Sequence, residues 1–233
     1  MSARQPRPEG AAGPGSLEAI FAGRVVRRES GQDRTAGPKA RRTRQLILGA
    51  ARTQFDHQGY QRTSMVDVAL AAGVSQGTVY QYFRDRSDLV VAIIQQALHQ
   101  LLTRTDATWR PEEGMAGLER ILSNYATGFA EAPDVVRVWE EVSHTDEDMA
   151  ELRRSLGRLF EASVEKAIRT GQRAGRIRRG MDPVETSRAL CAMTDRYCYV
   201  SYVFDPPVGG PPDPAETGRL LAELWAAALG IAD

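Results

Sequence analysis

Residues 64–89, SMVDVALAAGVSQGTVYQYFRDRSDL, put small, polar and apolar residues where two short, steeply crossing helices require them. Such a pair needs a small residue where the backbones approach, a glycine for the turn, and an apolar residue on the second helix pointing back at the first. Ala69, Gly73 and Val79 supply those three, and Val68, Ala72 and Val74 complete the packed face. Ser75 has the side chain for an N-cap on the second helix. Gln76, Gly77, Thr78, Tyr80, Gln81 and Tyr82 fall on or near the opposite, polar face. Amides can read an adenine edge, hydroxyls reach phosphates or bases, and a glycine lets the backbone come close to a duplex. The first amides of such a helix can also receive a phosphate. A solvated helical hairpin shares single elements of this pattern; their joint occurrence points to a helix-turn-helix that reads DNA.

Upstream, Leu46, Ile47, Ala50, Ala51 and Phe55 keep helical spacing from Arg42 to about Gly59, which predicts a supporting first helix. Downstream, Leu89, Ile93, Ala97 and Leu101 form an i,i+4 stripe over 87–102, a helix that leaves the reading head and enters the rest of the chain. Residues 103–115 read as a break, followed by helices near 114–131, 134–144, 147–174, 183–204 and 214–230. The last two open with one device: Asp182-Pro183 with Glu185, and Asp213-Pro214 with Glu216, offer an Asp N-cap, proline at the first position and a carboxylate at the third. Between them DPPVGGPPDP forces a loop. No period-2 strand pattern occurs, so the expected fold is all-α.

Residues 1–40 are rich in Pro, Gly, Arg and Ala and lack a sustained apolar period, which predicts a mostly disordered extension. One island, with Leu17, Ile20, Phe21 and Val25 on a helical face, could dock on its own subunit or on a partner. Arg41, Arg42 and Arg44 either form an arm for a neighbouring minor groove or a solvated basic stretch that raises nonspecific attraction to DNA.

The chain has 233 residues, 42% of them hydrophobic, enough for a real core. No stretch is apolar enough to span a bilayer, and MSARQPRPEG is not a secretory leader, so a cytoplasmic address with no membrane partner is expected. Net charge is zero, but residues 1–95 carry 14 Lys+Arg against 8 Asp+Glu, and residues 96–233 carry 16 against 22. That asymmetry suits one end for DNA. Cys191 and Cys198, about 10.5 Å apart along a helix, cannot bridge each other and read as buried thiols or as an intersubunit redox pair. His57, His99 and His144 have no partner at zinc-ligand spacing, and the polar run His144, Asp146, Glu147, Asp148 reads as caps and turn. No nucleophile elbow, Walker loop or dinucleotide fingerprint is present, so neither an enzyme, a metal site nor a cofactor is expected.

Residues 41–101 resemble the N-terminal domain of the tetracycline-repressor (TetR) family. The resemblance runs through Arg44, Ile47, Ala50, Phe55, Gly59, Tyr60, Thr63, Ser64, Val68, Ala69, Ala72, Gly73, Val74, Ser75, Gly77, Thr78, Tyr80, Tyr82, Phe83 and Leu89. It implies a homodimer of all-helical subunits, each with a three-helix DNA-binding domain and a variable ligand-binding domain. On that basis the chain divides into an extension (1–40), a helix-turn-helix domain (41–86) and a helical ligand-binding and dimerisation domain (87–233). By the same resemblance Thr63 and Ser64 would touch phosphates, with Ser75, Gln76, Gly77, Thr78, Tyr80 and Tyr82 in the major groove. Arg86 stands where the family usually has Lys, and either side chain can meet a phosphate.

In the C-terminal part, Tyr125, Phe129, Trp139, Phe160, Met193 and Tyr197 are bulky residues on several helices that either line an apolar cavity or fill a core. Arg196 lies in an apolar helix and has three candidate partners: a ligand carboxylate, Asp195, or solvent. Two Ala-, Leu-, Tyr- and Trp-rich helices per subunit can build an intersubunit four-helix bundle, with Leu220, Leu221, Leu224, Trp225 and Ala228 at the interface. The expectation is a dimeric repressor on a near-palindromic operator, released by a hydrophobic small molecule. The rival is a helical adaptor for a protein partner with residual DNA binding.

Overall fold

The structure, a computed structural model, describes residues 37–104 and 109–231, with side chains for all of these but 101–104. The island at 17–25 and the side chain of Leu101 therefore lie outside the described residues. Every regular element among the described residues is helical: α1 Pro38–Gln58, α2 Met65–Ala72, α3 Gln76–Tyr82, α4 Arg86–Arg104, α5 Gly114–Glu131, α6 Pro133–Ser143, α7 Glu147–Arg173, α8 Pro183–Tyr199 and α9 Pro214–Leu229. A 3₁₀ turn, Pro111–Glu113, leads into α5, and a π-helical turn, Val200–Phe204, extends α8.

Local chemistry sets the boundaries. Helix α1 starts at Pro38, four residues ahead of the expected Arg42, because proline at the first helical position is already set to helical φ. Residues 38–40, assigned to the extension from the sequence, are the first turn of α1. The Asp side chains open α7, α8 and α9 alike: Asp146, Asp182 and Asp213 each accept two backbone N–H groups of the first turn. The Asp-Pro devices read from the sequence are caps.

Two apolar clusters follow. One joins α1–α4 to α6 and the start of α7, with Ile47, Phe55, Val68, Val79, Leu89, Val142 and Met149 among its buried members. The second, around Leu118, Leu122, Ile168, Leu221, Trp225 and Leu229, joins α5, α7, α8 and α9. Helices α5 and α9 pack tightly along one another. At their closest approach a Cβ on Gly218 would stand 2.6 Å from the Ser123 backbone N and 2.7 Å from its Cα.

Candidate nucleic-acid interface

The predicted reading head is held together from inside. Gly73 ends α2 in the left-handed region (φ 66°) and its N–H reaches the carbonyls of Ala69 and Leu70, which turns the chain into α3. Ala69 and Val79 are buried at the crossing. Ser64 and Asp67 form a reciprocal capping box on α2, and Ser75 Oγ accepts the Thr78 N–H (3.1 Å) at the start of α3.

The head sorts the expected contact residues into two groups. Ser64, Ser75, Gln76, Gly77, Tyr80 and Gln81 are exposed, Thr78 and Tyr82 half-exposed, and Arg42 is exposed on α1. Thr63 is different: it is 1% exposed, and its hydroxyl donates to the Gly59 carbonyl at 2.9 Å. Arg86 also turns inward. Its Nη1 lies 2.9–3.0 Å from the carbonyls of Tyr60, Gln61 and Thr63, and its guanidinium sits 4.7 Å from the Tyr60 ring centre. In this structure it ties the α1–α2 loop to the start of α4.

One face of α6 grips the head. Asp134 pairs with Arg52 through two contacts, one of them 2.6 Å; Arg137 meets Asp56 at 2.9 Å; the Glu141 carboxylate accepts the N–H groups of Tyr60 (3.3 Å) and Gln61 (3.4 Å). Asp134, Arg137 and Glu141 stand at i, i+3 and i+7, one stripe of one helix. Burial alone would raise the Asp134 carboxyl, but the hydrogen bonds and charge of Arg52, with backbone N–H groups, hold it below the usual carboxylate range. Asp146 adds a tether, capping α7 while accepting the Ser87 hydroxyl at 2.9 Å.

Of the residues expected near a ligand, the structure gathers four, while a fifth, Trp139, packs on the first apolar cluster. The Tyr125 ring lies 5.4 Å from Phe129 and 6.2 Å edge-on from Phe160, and Met193 packs half-buried on the same apolar cluster. Trp139 is linked through Arg153, whose guanidinium lies 6.0 Å from the indole and pairs with Glu140 and, at 3.7 Å, with Asp195. Tyr125 Oη donates to Asp195 at 3.0 Å, and burial, with that carboxylate beside it, pushes the Tyr125 hydroxyl well above its ordinary pKa. Arg196 and Tyr197 are not in this group. Both are exposed, and Arg196 lies over the rings of Tyr199 (5.2 Å) and Phe204 (6.0 Å). Glu140 and Arg153 escaped the sequence reading, and Asp195, offered there as a partner for Arg196, meets Tyr125 and Arg153; three different helices bring these charges together.

Helix α9 divides the five residues expected at a dimer interface. Leu220 and Leu224 are 41% and 46% exposed, Ala228 is half-buried, and Leu221 and Trp225 are packed inward, with Trp225 Nε1 donating to Thr194. Cys198 is buried and Cys191 half-buried, both free. Among the described residues no cluster of His, Cys, Asp or Glu is placed to hold a metal ion, and no helix is long and apolar enough to cross a membrane.

Residues 47–93 match the family described as bacterial regulatory proteins, tetR family. The chain is 29% identical over 160 residues to the HTH-type transcriptional regulator UidR of Escherichia coli K12, covering 67% of this chain and 80% of UidR. It is 28% identical over 162 residues to the regulator TtgR of Pseudomonas putida, covering 66% and 76%. Among solved structures, the fold is shared with SmeT, the repressor of the Stenotrophomonas maltophilia multidrug efflux pump SmeDEF. That likeness has a TM-score of 0.61 at 23% identity, over 79% of this chain and 89% of SmeT. SmeT has also been solved as a complex with triclosan. The relatives are transcriptional regulators rather than enzymes, and residues 47–93 of this chain match the DNA-binding domain of the TetR family.

Proposed function

We propose that the chain is a homodimeric repressor that binds a near-palindromic operator in the cytoplasm and is released by a small-molecule effector. The observation that carries the reading is α3, whose inner side is anchored by buried Val79 and whose entry turn is set by Gly73, while Gln76, Gly77, Tyr80 and Gln81 face outward from a capped N-terminus. Thr78 and Tyr82 flank that surface; Ser64 and Arg42 extend it toward phosphates. Thr63 and Arg86 act by holding the head in shape.

The head, 41–86, is carried by the helical body, 87–233. Pairing of two subunits through the outer faces of α8 and α9 is supported by Leu220 and Leu224, apolar residues left open to solvent on one subunit. Such pairing sets two α3 helices about one DNA turn, or a multiple, apart. The effector enters the body around Tyr125, Phe129, Trp139, Phe160 and Met193, as the SmeT–triclosan complex encourages for a protein of this fold. An effector releases the operator only to the extent that it favours a head orientation that no longer fits both half-sites.

Selection of bound sites from a random duplex library tests the reading and is expected to recover a two-fold symmetric motif. On that motif, Tyr80→Ala and Thr78→Ala should each lower affinity by about 1–3 kcal/mol with altered base preference. Unchanged affinity and preference in both variants would remove α3 as the reading element. Sequence-blind binding would favour the adaptor.

A further inference from the structure

The charges inside the aromatic cluster specify the effector further, on the reading that the body binds one. Three ionic groups meet there: Glu140 on α6, Arg153 on α7 and Asp195 on α8. The two carboxylates outnumber the guanidinium. Asp195 is held in place by the Tyr125 hydroxyl, and the Arg153 guanidinium lies over the indole of Trp139. The Trp139 Nε1–H is buried and makes no hydrogen bond.

An aromatic face, two carboxylates and a hydroxyl that orients one of them make a receptor for a planar or diffuse organic cation. Arg153 now fills it. Its side chain, 32% exposed, is long and flexible enough to leave for water while its backbone stays in α7. Once it leaves, the carboxylates of Asp195 and of Glu140, the latter with the exposed His144 imidazole 3.4 Å away, face the site without their guanidinium, and a bound cation replaces the lost charge. An anion would meet two carboxylates against one arginine. The Phe129 and Phe160 rings beside Tyr125 supply the apolar wall for the body of such a molecule.

We propose that the effector is a lipophilic organic cation, which takes the place of the Arg153 guanidinium between Trp139, Glu140 and Asp195. The site is wired to the head, because Trp139 and Glu140 belong to the same eleven-residue helix whose Asp134, Arg137 and Glu141 grip it. Displacing Arg153 frees α6 from α7 at Glu140.

The test uses the full chain, its selected operator, and two ions of matched size and opposite charge, tetraphenylphosphonium and tetraphenylborate. Binding is followed by calorimetry and operator release by fluorescence anisotropy. The phosphonium is expected to bind at least about tenfold more tightly than the borate, the scale of one desolvated cation–aromatic contact. Asp195→Asn and Glu140→Gln, near-isosteric and checked for folding by circular dichroism, should each weaken the phosphonium by about tenfold. Arg153→Met should strengthen it by a similar factor. Tighter binding of the borate, no binding of either ion, or a phosphonium affinity that Arg153→Met lowers would overturn the assignment. Release by the borate alone would overturn it while leaving the effector-responsive reading intact. Tight, Asp195-dependent phosphonium binding with operator affinity unchanged would sustain the cation site and remove effector release instead.

Discussion

Replacing Arg86 by methionine separates a structural arginine from a phosphate-binding one. Its Nη1 faces three carbonyls but carries two hydrogens, so the contacts amount to two full hydrogen bonds, one of them shared. Bonds from a charged donor contribute about 1.5–3 kcal/mol each when shielded. Gln61 is exposed, so water substitutes there, and about 2–3 kcal/mol is left for the partly buried carbonyls of Tyr60 and Thr63. The guanidinium over the Tyr60 ring adds about 0.5–1 kcal/mol. Arg86→Met should therefore cost about 3 kcal/mol, a drop of about 1–1.5 M in the urea midpoint for a slope of 2–3 kcal/mol/M. Far-UV circular dichroism at one fixed protomer concentration reads it, since dimer stability depends on concentration. Arg86→Lys should recover most of the loss, because an ammonium has three donors for the three carbonyls. If Arg86→Met keeps the wild-type midpoint while operator affinity falls more than about tenfold, the guanidinium binds phosphate and the structural assignment is refuted.

Gly218→Ala should lower stability by about 3 kcal/mol, since the added methyl meets Ser123 backbone atoms that cannot swing aside; an unchanged melting temperature would show a looser crossing. Burial, with the nearby charge of Asp195 and, for Cys191, Glu161, pushes both thiols up to about 12. At pH 8 iodoacetamide should therefore modify native protein on the order of a hundredfold more slowly than urea-unfolded protein, and equal rates would contradict the burial. The same shift makes the thiols' contribution to stability complete below about pH 8.5 and lost as pH rises from there toward 12. Asp134 has the opposite sign: its lowered pKa stabilises the fold above the ordinary carboxylate range and ceases to do so as pH falls through the native value. Urea midpoints of wild type and Asp134→Asn should differ at pH 7 and converge below about pH 4; coincident midpoints at pH 7 would mean that the Arg52 pair is not formed in solution.

The reading head was legible because its constraints are local. Ala69, Gly73, Ser75 and Val79 act on neighbours within about ten residues, and so do the Asp-Pro caps of α8 and α9. The helical spans followed from apolar spacing for the same reason. The direction of each side chain was harder. Thr63 and Arg86 carry donors suited to a phosphate, and only the fold shows backbone carbonyls taking them. Leu221 and Trp225 share a composition with Leu220 and Leu224, but the rotation of α9 against α5 sends the first pair inward. The Arg153 cluster draws on α6, α7 and α8, and no spacing rule reports a contact between residues 42 positions apart, as Arg153 and Asp195 are. The i, i+3, i+7 stripe of Asp134, Arg137 and Glu141 was present in the sequence, without a signal for what it faces.

The grip of α6 on the head sets the scale of the switch. Its two ion pairs involve largely exposed arginines, and Arg52 and Arg137 keep 43% and 53% of their side chains in water. Pairs of that kind contribute roughly 0–1 kcal/mol each and weaken with salt. Inverting a two-state population from one per cent to ninety-nine takes about 5.5 kcal/mol of differential affinity. The polar seam between head and body supplies a minor fraction of that, and a ligand of modest size can provide the rest. A head fastened by a buried ionic network would demand more energy than one small molecule delivers; here α6 holds the head by apolar packing, Phe55 sharing a buried cluster with Val135 and Val138, edged by a wet ionic seam, and only that seam's share moves with the ionic strength around it.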